Sequence, residues 1–289
     1  MLIQENMDNE IDCLMGLAYK IRKDVLSMTY ESGANGGHLG GALSSADILA
    51  VLYGSVLNVD INDMTFAGRD RFLLSKGHIA LAHYAVLAEC GIISRQDLKD
   101  FEVPGGDYPT HENMMLEKGI EISGGSLGYG LSMGVGCALT AKLNQQFHKI
   151  YVLLGDGECN EGIVWEAFMS AVQYKLDNLL CIIDINGQQL DGYSEDIMQI
   201  RSFETVLKGF GCNCISVDGH NIRELQSAMK SGAIDKPTVV LARTVKGKGI
   251  RSIEKQANNH HVRLTEEQYI QYMAELEEAY DGLFSNEYK

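Results

Sequence analysis

Residues 150–162 read IYVLLGDGECNEG, an apolar run followed by a glycine-rich loop with three acidic side chains and no lysine or arginine. The apolar run is too short for a buried helix, so it predicts a strand buried on both faces. The glycines on either side of Asp156 allow a sharp turn, and Asn160 is placed to cap a helix that begins near Glu161. The stretch therefore predicts a loop at the carboxyl end of a buried strand.

The same alternation of strand and helix continues along the chain. Short apolar runs predict strands at 72–75, 150–154, 179–185, 214–218 and 238–244. Helical spacing predicts helices at 11–31, 44–57, 79–90, 126–143, 161–175, 221–231 and 265–280. Such strands pair in parallel through right-handed crossovers. With three prolines and no flexible linker, residues 1–289 are expected to form a single α/β domain, a doubly wound and mostly parallel sheet with helices on both faces.

Composition and charge narrow the classes of function. Acidic residues outnumber basic ones 39 to 24, and the formal charge of −15 would repel nucleic acid and anionic membranes. The N-terminus is too acidic and polar for a secretory signal, and no apolar run approaches the roughly 18 residues of a membrane span. Seven scattered cysteines predict reduced thiols in the cytoplasm, with Cys212 and Cys214 alternating along a strand rather than binding a metal.

The acidic loop lies where ligands of doubly wound sheets bind, beyond the carboxyl ends of the strands. Free amides at a helix start favour an anion, whereas Asp156 would repel it. A magnesium ion between the two would resolve this conflict, because Mg²⁺ binds one or two oxygen side chains together with phosphates. Asn186 ends the next predicted strand and offers a second oxygen, and the turn after it would present the backbone carbonyl of Gln188.

Two simpler interpretations of this loop compete with a magnesium site. Gly-Asp-Gly is a common turn in proteins of every kind. The oxygen spacing of DGECNE is also similar to that of a calcium loop, but Glu161 replaces the glycine at the sixth position and Ala167 the glutamate at the twelfth. The asparagine one strand–helix–strand unit later favours the magnesium interpretation.

The pair GDGECNEG (155–162) and IIDINGQQLDG (182–192) resembles the thiamine diphosphate motif, and in detail it resembles transketolase. Four further segments match that family in order, namely SGANGGHLGGALSSADILAVLY (32–53), DRFLLSKGHIALAHYAVL (70–87), ISGGSLGYGLSMGVGCALTAKL (122–143) and TVKGKGI (244–250). All belong to the family's N-terminal, diphosphate-binding domain. The resemblance therefore implies the N-terminal subunit of a split transketolase that uses thiamine diphosphate and Mg²⁺.

The resemblance also implies roles for individual residues. The metal ligands would be Asp156, Asn186 and the carbonyl of Gln188. The cofactor contacts would be Lys76, His78, Gly125, Ser126, Leu127, Gly155, Asp156, Gly157, Glu158, Asn186, Lys246 and His260. The catalytic residues would be His38, His111, His260 and Glu161, with Glu161 linking activating carboxylates across a subunit interface. Imidazole suits this chemistry because it moves protons near neutral pH.

The implied reaction transfers a two-carbon ketol unit from a ketose donor to an aldose acceptor, with sugar phosphates as substrates. The implied partner is a separate C-terminal subunit that carries the pyrimidine-binding half, in a heterotetramer of two copies of each chain. Three alternatives stay open: part of an enzyme similar to deoxyxylulose phosphate synthase, part of an enzyme that decarboxylates 2-oxoacids, and a non-catalytic regulatory subunit that binds the cofactor.

Several residues depart from the family pattern. His111 stands between Thr110 and Glu112, where many members have glycine and proline, and Asn259 replaces a tryptophan. The neighbouring His260 and His261 leave two registers open for the active-site histidine. These departures leave the ketose donor open. His83, His148 and His220 lie outside the matched motifs and are assigned no role.

Overall fold

A computed structural model describes residues 2–257 and 259–281, with side chains from residue 9 onward. Within this part of the chain, five strands form one parallel sheet in the order β1-β2-β3-β5-β4. The strands are β1 (Arg71–Leu74), β2 (Ile150–Gly155), β3 (Leu179–Ile185), β4 (Asn213–Asp218) and β5 (Thr238–Arg243). The α/β class predicted from the alternating pattern is confirmed.

The helices are α1 (Leu2–Glu31), α2 (Leu39–Val51), α3 (Ala80–Glu89), α4 (Tyr129–Leu143), α5 (Gly162–Gln173), α6 (Ser194–Ile197), α7 (Phe203–Phe210), α8 (Ile222–Lys230), α9 (Arg251–Glu254) and α10 (Glu266–Tyr280). A π-helical turn, Leu52–Val56, continues α2. Short 3₁₀ turns follow β1 and β2, at Gly77–Ile79 and Glu158–Asn160.

Alternate residues of each strand face opposite sides of the sheet, so the sheet carries a hydrophobic core on each face. Tyr151 and Leu153 of β2 pack in a core with α1, α2, α3, α8 and α10. Ile150, Val152 and Leu154 point the other way and pack with α4, α5 and α7. Helices therefore cover both faces, as the doubly wound prediction requires.

The parallel register brings the carboxyl ends of the central strands together. Gly155 at the end of β2 pairs with Asp184 of β3, and Asp184 pairs with Ala242 of β5. The loops that follow, at 156–158, 186–190 and 244–248, consequently lie side by side at the carboxyl ends of the strands.

Each predicted strand is present within one residue of its predicted bounds, but two predictions need correction. Not every strand is buried on both faces, because β4 forms one edge of the sheet and most of its residues are partly exposed. The helix predicted to begin at residue 44 begins at Leu39 instead. Its glycines look like loop residues in the sequence, yet Gly40 packs so closely that a Cβ would lie 2.6 Å from the carbonyl oxygen of Asn259.

One helical stretch in the described part of the chain, Leu39–Val56, has a length of 18 residues and a mean hydropathy of 1.4. The prediction that no run reaches the length of a membrane span is therefore wrong. This stretch is 83% buried within the protein, packed between α1 and α3. Core helices and membrane helices share length and composition, so these properties alone do not indicate a span.

All seven cysteines are free thiols. Cys214 lies in β4, but Cys212 lies one residue before that strand, so the predicted alternation along a strand holds for Cys214 alone. Both side chains pack in the core on the same side of the sheet.

Candidate active site

A cavity of about 240 Å³ opens at the carboxyl edge of the sheet. It is lined by Gly41, Lys76, His78, Leu127, Gly155, Asp156, Gly157, Glu158, Asn186, Gln188, Gln189, Leu190, Lys246 and His260. The sequence did not single out Gly41, Gln189 and Leu190. Gly125 and Ser126, which were expected at the cofactor, do not line this cavity.

Asp156 connects the loops that follow β2 and β3. Its Oδ1 accepts the N–H of Gly157 at 2.8 Å, and its Oδ2 accepts the N–H of Gly187 at 2.8 Å. Burial, followed by the nearby charge of Asp184, raises the pKa of Asp156 above its usual range. A cation bound in the cavity would stabilise the charged form of this carboxylate.

Asn186 and Gln188 lie in the turn after β3. The Oδ1 of Asn186 accepts the N–H of Gln188 at 3.1 Å, and Gly187 between them has a φ of 74°. The buried Oε1 of Gln188 has no hydrogen-bond partner among the described residues. The same part of the chain holds no group of three or more histidine, cysteine, aspartate or glutamate residues suited to a metal. One carboxylate with neutral oxygens is a donor set that suits Mg²⁺ completed by water and phosphate.

Lys76 forms a buried ion pair that was not predicted from the sequence. Its Nζ donates to Asp184 Oδ2 at 2.6 Å and to the carbonyl of Gly41 at 3.1 Å. Asp184 also accepts hydrogen bonds from Ser44, Ser45 and Thr244. Burial raises the pKa of Asp184, but Lys76 and these hydroxyls outweigh burial and hold that pKa below its usual range. A single aspartate inside the apolar run LLCIIDI was the signal available in the sequence.

Lys246 is the second buried cation at the cavity. Its Nζ donates to the carbonyl of Gln189 at 3.1 Å and lies 3.4 Å from Nδ1 of His260. Among the described residues no carboxylate forms an ion pair with it. Burial, and then repulsion by Lys76, lowers the pKa of Lys246 to about 8. The ammonium group is therefore charged at neutral pH and available to an anion.

Glu158 holds three segments together. Its Oε1 accepts from the hydroxyl of Ser75 at 2.5 Å and from the N–H of Gly128 at 2.7 Å. Its Oε2 accepts from the N–H of Gly155 at 3.0 Å. Burial raises the pKa of Glu158, and these hydrogen bonds limit the rise. The carboxylate thus fixes the backbone around the cavity.

The start of α5 differs from the prediction. Asn160 does not cap this helix, because its amide donates to the carbonyl of Met198 at 3.2 Å instead. Glu161 occupies the N-cap position without a capping hydrogen bond from its side chain. Its side chain is exposed outside the cavity, where another chain could contact it.

Five histidines form a cluster with His38 at its centre. The His38 ring centroid lies 4.7–5.8 Å from those of four other histidines, His78, His111, His260 and His261. Burial, and then the neighbouring His260, lowers the pKa of His38 to about 3. Burial and Lys246 lower that of His260 to about 4. These two imidazoles are therefore neutral at physiological pH, each with one donor and one acceptor nitrogen.

His260 and His261, between which the sequence left the register open, differ in their surroundings. His260 lines the cavity beside Lys246, whereas His261 is exposed. Asn259 is buried, and its Nδ2 donates to the carbonyl of Ile253 at 3.1 Å. Its carbonyl accepts the N–H of Gly40 at 3.0 Å, which fixes the backbone just before His260.

A buried network of hydrogen bonds includes Glu112, the residue that follows His111. The Nδ1 of His83 pairs with Glu112 at 2.7 Å, and its Nε2 pairs with the hydroxyl of Tyr53 at 2.7 Å. The backbone carbonyl of Glu112 accepts the N–H of Gly124 at 2.8 Å. His83 was given no role from the sequence, yet its hydrogen bonds to Glu112 and Tyr53 fix the segment of His111 against the core.

The turn at 123–128 approaches the cavity from the side of α4. A Cβ on Gly77 would lie 2.6 Å from the nitrogen of Gly125, so the two backbones are in close contact. Gly125 has a φ of 119°, which favours glycine. Of the predicted trio Gly125, Ser126 and Leu127, only Leu127 reaches the cavity wall.

Comparison with known proteins identifies the family to which this chain belongs. Residues 17–279 match the model of the thiamine diphosphate-binding domain of transketolase. The chain belongs to the transketolase family. The predicted resemblance to an N-terminal transketolase domain is therefore confirmed, and the fold is that of this thiamine diphosphate-binding domain.

Three individual transketolases illustrate the similarity. The chain is 39% identical over 272 residues to the SqwG subunit of 6-deoxy-6-sulfo-D-fructose transketolase from Clostridium sp. (strain MSTE9), covering 93% of this chain and 98% of that one. It is 37% identical over 281 residues to one of the subunits of apulose-4-phosphate transketolase from Phocaeicola vulgatus, covering 95% and 97%. The transketolase structure from Leishmania mexicana superposes with a TM-score of 0.82 at 26% identity, covering 91% of this chain but 41% of that one.

Proposed function

We propose that this chain is the N-terminal subunit of a split transketolase, in which residues 1–289 form a single diphosphate-binding domain. The enzyme transfers a two-carbon ketol unit from a ketose donor to an aldose acceptor. The observation that carries the proposal is the cavity where the buried carboxylate of Asp156 and the amide of Asn186 lie with the cation of Lys246, which pairs with no carboxylate in the described part of the chain. An anion with a bound metal ion complements both charges.

The residues present fit thiamine diphosphate with Mg²⁺. Asp156, Asn186 and the carbonyl of Gln188 would hold the metal ion, because these residues lie on two adjacent turns at the cavity. Lys246 would neutralise the diphosphate, and Gly157 would allow its close approach. The bound cofactor supplies the electron sink for carbon–carbon bond cleavage. Lys76 acts less directly, since its charge is already paired with Asp184.

The remaining cavity residues complete the cofactor site of this proposal. Gly155 and Glu158 both line the cavity, and the N–H of Gly155 donates a hydrogen bond to the carboxylate of Glu158. His78 lines the cavity, with its ring centroid 4.8 Å from that of His260. Leu127 supplies an apolar wall, next to Gly125 and Ser126 in the same turn.

His38, His111 and His260 bind the sugar and move its hydroxyl protons. Burial lowers the pKa of all three. A neutral imidazole accepts a hydroxyl proton through one nitrogen and donates a hydrogen bond through the other. The ring distances from His38 to His111 and His260, 5.8 and 5.2 Å, support a shared role for these nitrogens at one substrate. Glu161 takes part from the surface, through contact with the partner.

The partner in this proposal is a separate subunit with the pyrimidine-binding half of the enzyme. The chain spans 41% of the Leishmania mexicana transketolase, whereas it spans nearly the full length of two relatives named as transketolase subunits. We expect a heterotetramer with two copies of each chain, located in the cytoplasm.

The substrates are sugars that carry an anionic group. The names of the two relatives specify a sulfonated ketose and a phosphorylated sugar. Both of these sugars carry a negatively charged group. We expect the donor of this enzyme to be a ketose phosphate or a ketose of similar charge.

Co-purification from the natural host tests the partnership. The tagged chain should recover a stoichiometric subunit with the pyrimidine-binding half. The complex should convert a ketose phosphate and an aldose only with thiamine diphosphate and Mg²⁺. Turnover of pyruvate instead would indicate a synthase or a decarboxylating subunit, and cofactor binding without turnover of any substrate would indicate a regulatory role.

A further inference from the structure

The loop that carries Lys246 follows a tightly constrained path. Gly247 and Gly249 on its far side have φ values of 83° and 96°, and a Cβ on Gly247 would lie 2.5 Å from Cγ2 of Ile253. The N–H of Gly247 donates to the carbonyl of Gly40 at 2.9 Å. The position of the ammonium group therefore depends on what holds the backbone on either side of it.

Two side chains from distant parts of the sequence bond to this backbone. Before Lys246, the N–H of Val245 donates to Nε2 of His220 at 2.8 Å. After it, the carbonyl of Lys248 accepts from Nε of Arg22 at 3.1 Å. His220 follows β4 and Arg22 lies on α1, so the loop is held from two directions.

Asp47 on α2 joins these two side chains. Its carboxylate accepts hydrogen bonds from Nη1 and Nη2 of Arg22 at 3.1 and 2.6 Å. One oxygen of the same carboxylate lies 2.7 Å from Nδ1 of His220. Arg22 is fully buried and Asp47 is 6% exposed. A backbone N–H can only donate, so Nε2 of His220 is unprotonated and Nδ1 carries the proton that bonds to Asp47.

We infer that Arg22, Asp47 and His220 are positioning residues that hold Lys246 at the cavity for the cofactor diphosphate. This inference rests on the proposed function and deepens it. None of the three side chains lines the cavity, so their effect passes through the backbone at Val245 and Lys248. Arg22 and Asp47 neutralise each other, which leaves the charge of Lys246 for the ligand.

His220→Phe in the purified complex with the partner subunit tests this inference. The substitution removes both hydrogen bonds while it keeps a ring of similar size. The matched control is His148→Phe, because His148 is also nearly buried but lies just before β2, at the amino ends of the strands and away from the loop at 244–250. Hydrogen exchange of the peptide at 244–250 reports the loop, and calorimetry with thiamine diphosphate and Mg²⁺ reports affinity.

In His220→Phe we expect exchange at 244–250 to accelerate about tenfold and cofactor affinity to fall about tenfold, the usual effect of a lost hydrogen bond. The control should leave both unchanged, at an unfolding temperature close to that of His220→Phe. His220→Gln restores an acceptor near the position of Nε2 and should recover most of the protection and affinity.

Unchanged exchange at 244–250 would overturn the inference. Faster exchange with unchanged cofactor affinity would also overturn it, because His220 would then hold the loop without positioning Lys246. Failure of the proposed function looks different. In that case the unaltered complex binds no thiamine diphosphate with Mg²⁺, while the exchange measurement still decides whether His220 holds the loop.

Discussion

At the scale of single residues, the site contrasts two buried aspartates at the ends of neighbouring strands. Asp184 is satisfied by Lys76 and by hydroxyl groups, so it serves the fold. Among the described residues, Asp156 has strong bonds only to the backbone N–H groups of Gly157 and Gly187, and its hydroxyl contact with Ser194 is long at 3.5 Å. Unlike Asp184, Asp156 therefore lines the cavity without forming an ion pair in the described part of the chain.

Asp156→Asn should weaken Mg²⁺-dependent binding of thiamine diphosphate by about 100-fold, because an amide replaces the one charged ligand in the metal site. Calorimetry with and without Mg²⁺ measures the change. His38→Ala is the comparison, since it should leave affinity within about threefold and mainly slow turnover of the assembled enzyme. Equal loss of affinity in both variants would contradict this division of roles.

Lys246→Met should lower affinity for thiamine diphosphate about tenfold at pH 7, where the lysine is charged. The pKa of about 8 means that the free protein loses this charge as pH rises through that value. Affinity of the unaltered protein should therefore fall between pH 7 and pH 9.5, and the difference between the two proteins should shrink. A constant ratio of affinities over this range would show that the charge of Lys246 does not contribute.

Sequence reasoning located Asp156, Asn186 and Gln188 because they lie directly after predicted strands, and the resemblance to transketolase supplied the other predicted residues of the cavity wall. It could not find contacts that depend on folding. Asp184 reads as part of an apolar strand, and His220 stands far from Lys246 in sequence. Asp184 bonds to groups on α2 and in the loops after β1 and β5, and His220 bonds to Asp47 on α2. No local pattern in the sequence encodes such long-range hydrogen bonds.

At the scale of elements, glycines set how closely helices and loops approach. Gly128, which precedes α4, has a φ of 82°, and a Cβ there would lie 2.6 Å from Cγ2 of Ile163 on α5. Its N–H also donates to Glu158. This contact couples the turn at 123–128 to the acidic loop.

Gly128→Ala should reduce the free energy of unfolding by about 2 kcal/mol, from left-handed backbone strain and the clash with α5. Urea denaturation followed by circular dichroism measures it. Gly136→Ala is the matched control, because Gly136 lies within α4 and a Cβ there would have no described atom within 4 Å beyond its own helix backbone and chain neighbours. This control should gain about 0.5–1 kcal/mol from helix propensity, and a loss equal to that of Gly128→Ala would refute the packing argument.

The elements themselves differed in how well the sequence predicted them. The strands were predicted within one residue because their apolar runs are short and bounded by polar residues. The start of α2 was missed because its glycines serve tertiary contacts rather than loop formation. Helix α7 was not predicted, although Phe203, Leu207 and Phe210 recur at helical spacing, because eight residues make only about two turns. Packing of Phe203 and Leu207 against the core stabilises a helix this short.

At the scale of the whole molecule, α4 and α5 expose apolar side chains next to the site. Tyr129 and Met133, one turn apart on α4, are each about half exposed, as is Met169 on α5. Leu190 at the cavity mouth is 59% exposed. Apolar side chains grouped beside a binding site are typical of a surface that another chain covers.

Combining Tyr129→Glu with Met133→Glu should weaken association with the partner subunit by at least about 100-fold, because two charges would be buried at the contact. Sedimentation velocity of mixed subunits measures association. Phe147→Glu is the control, since Phe147 is 96% exposed in the loop before β2. If the control disrupts assembly and the double variant does not, the contact with the partner lies near Phe147, at the amino ends of the strands.

The strand order has a consequence for synthesis on the ribosome. Strand β5 lies between β3 and β4, although it is the last of the five in the chain. Until residue 243 has emerged, β3 and β4 cannot be joined, and the nascent chain presents unpaired strand edges. The sheet and the loop of Lys246 are then completed in one late step, so an arrested chain that ends before β5 should need chaperone protection.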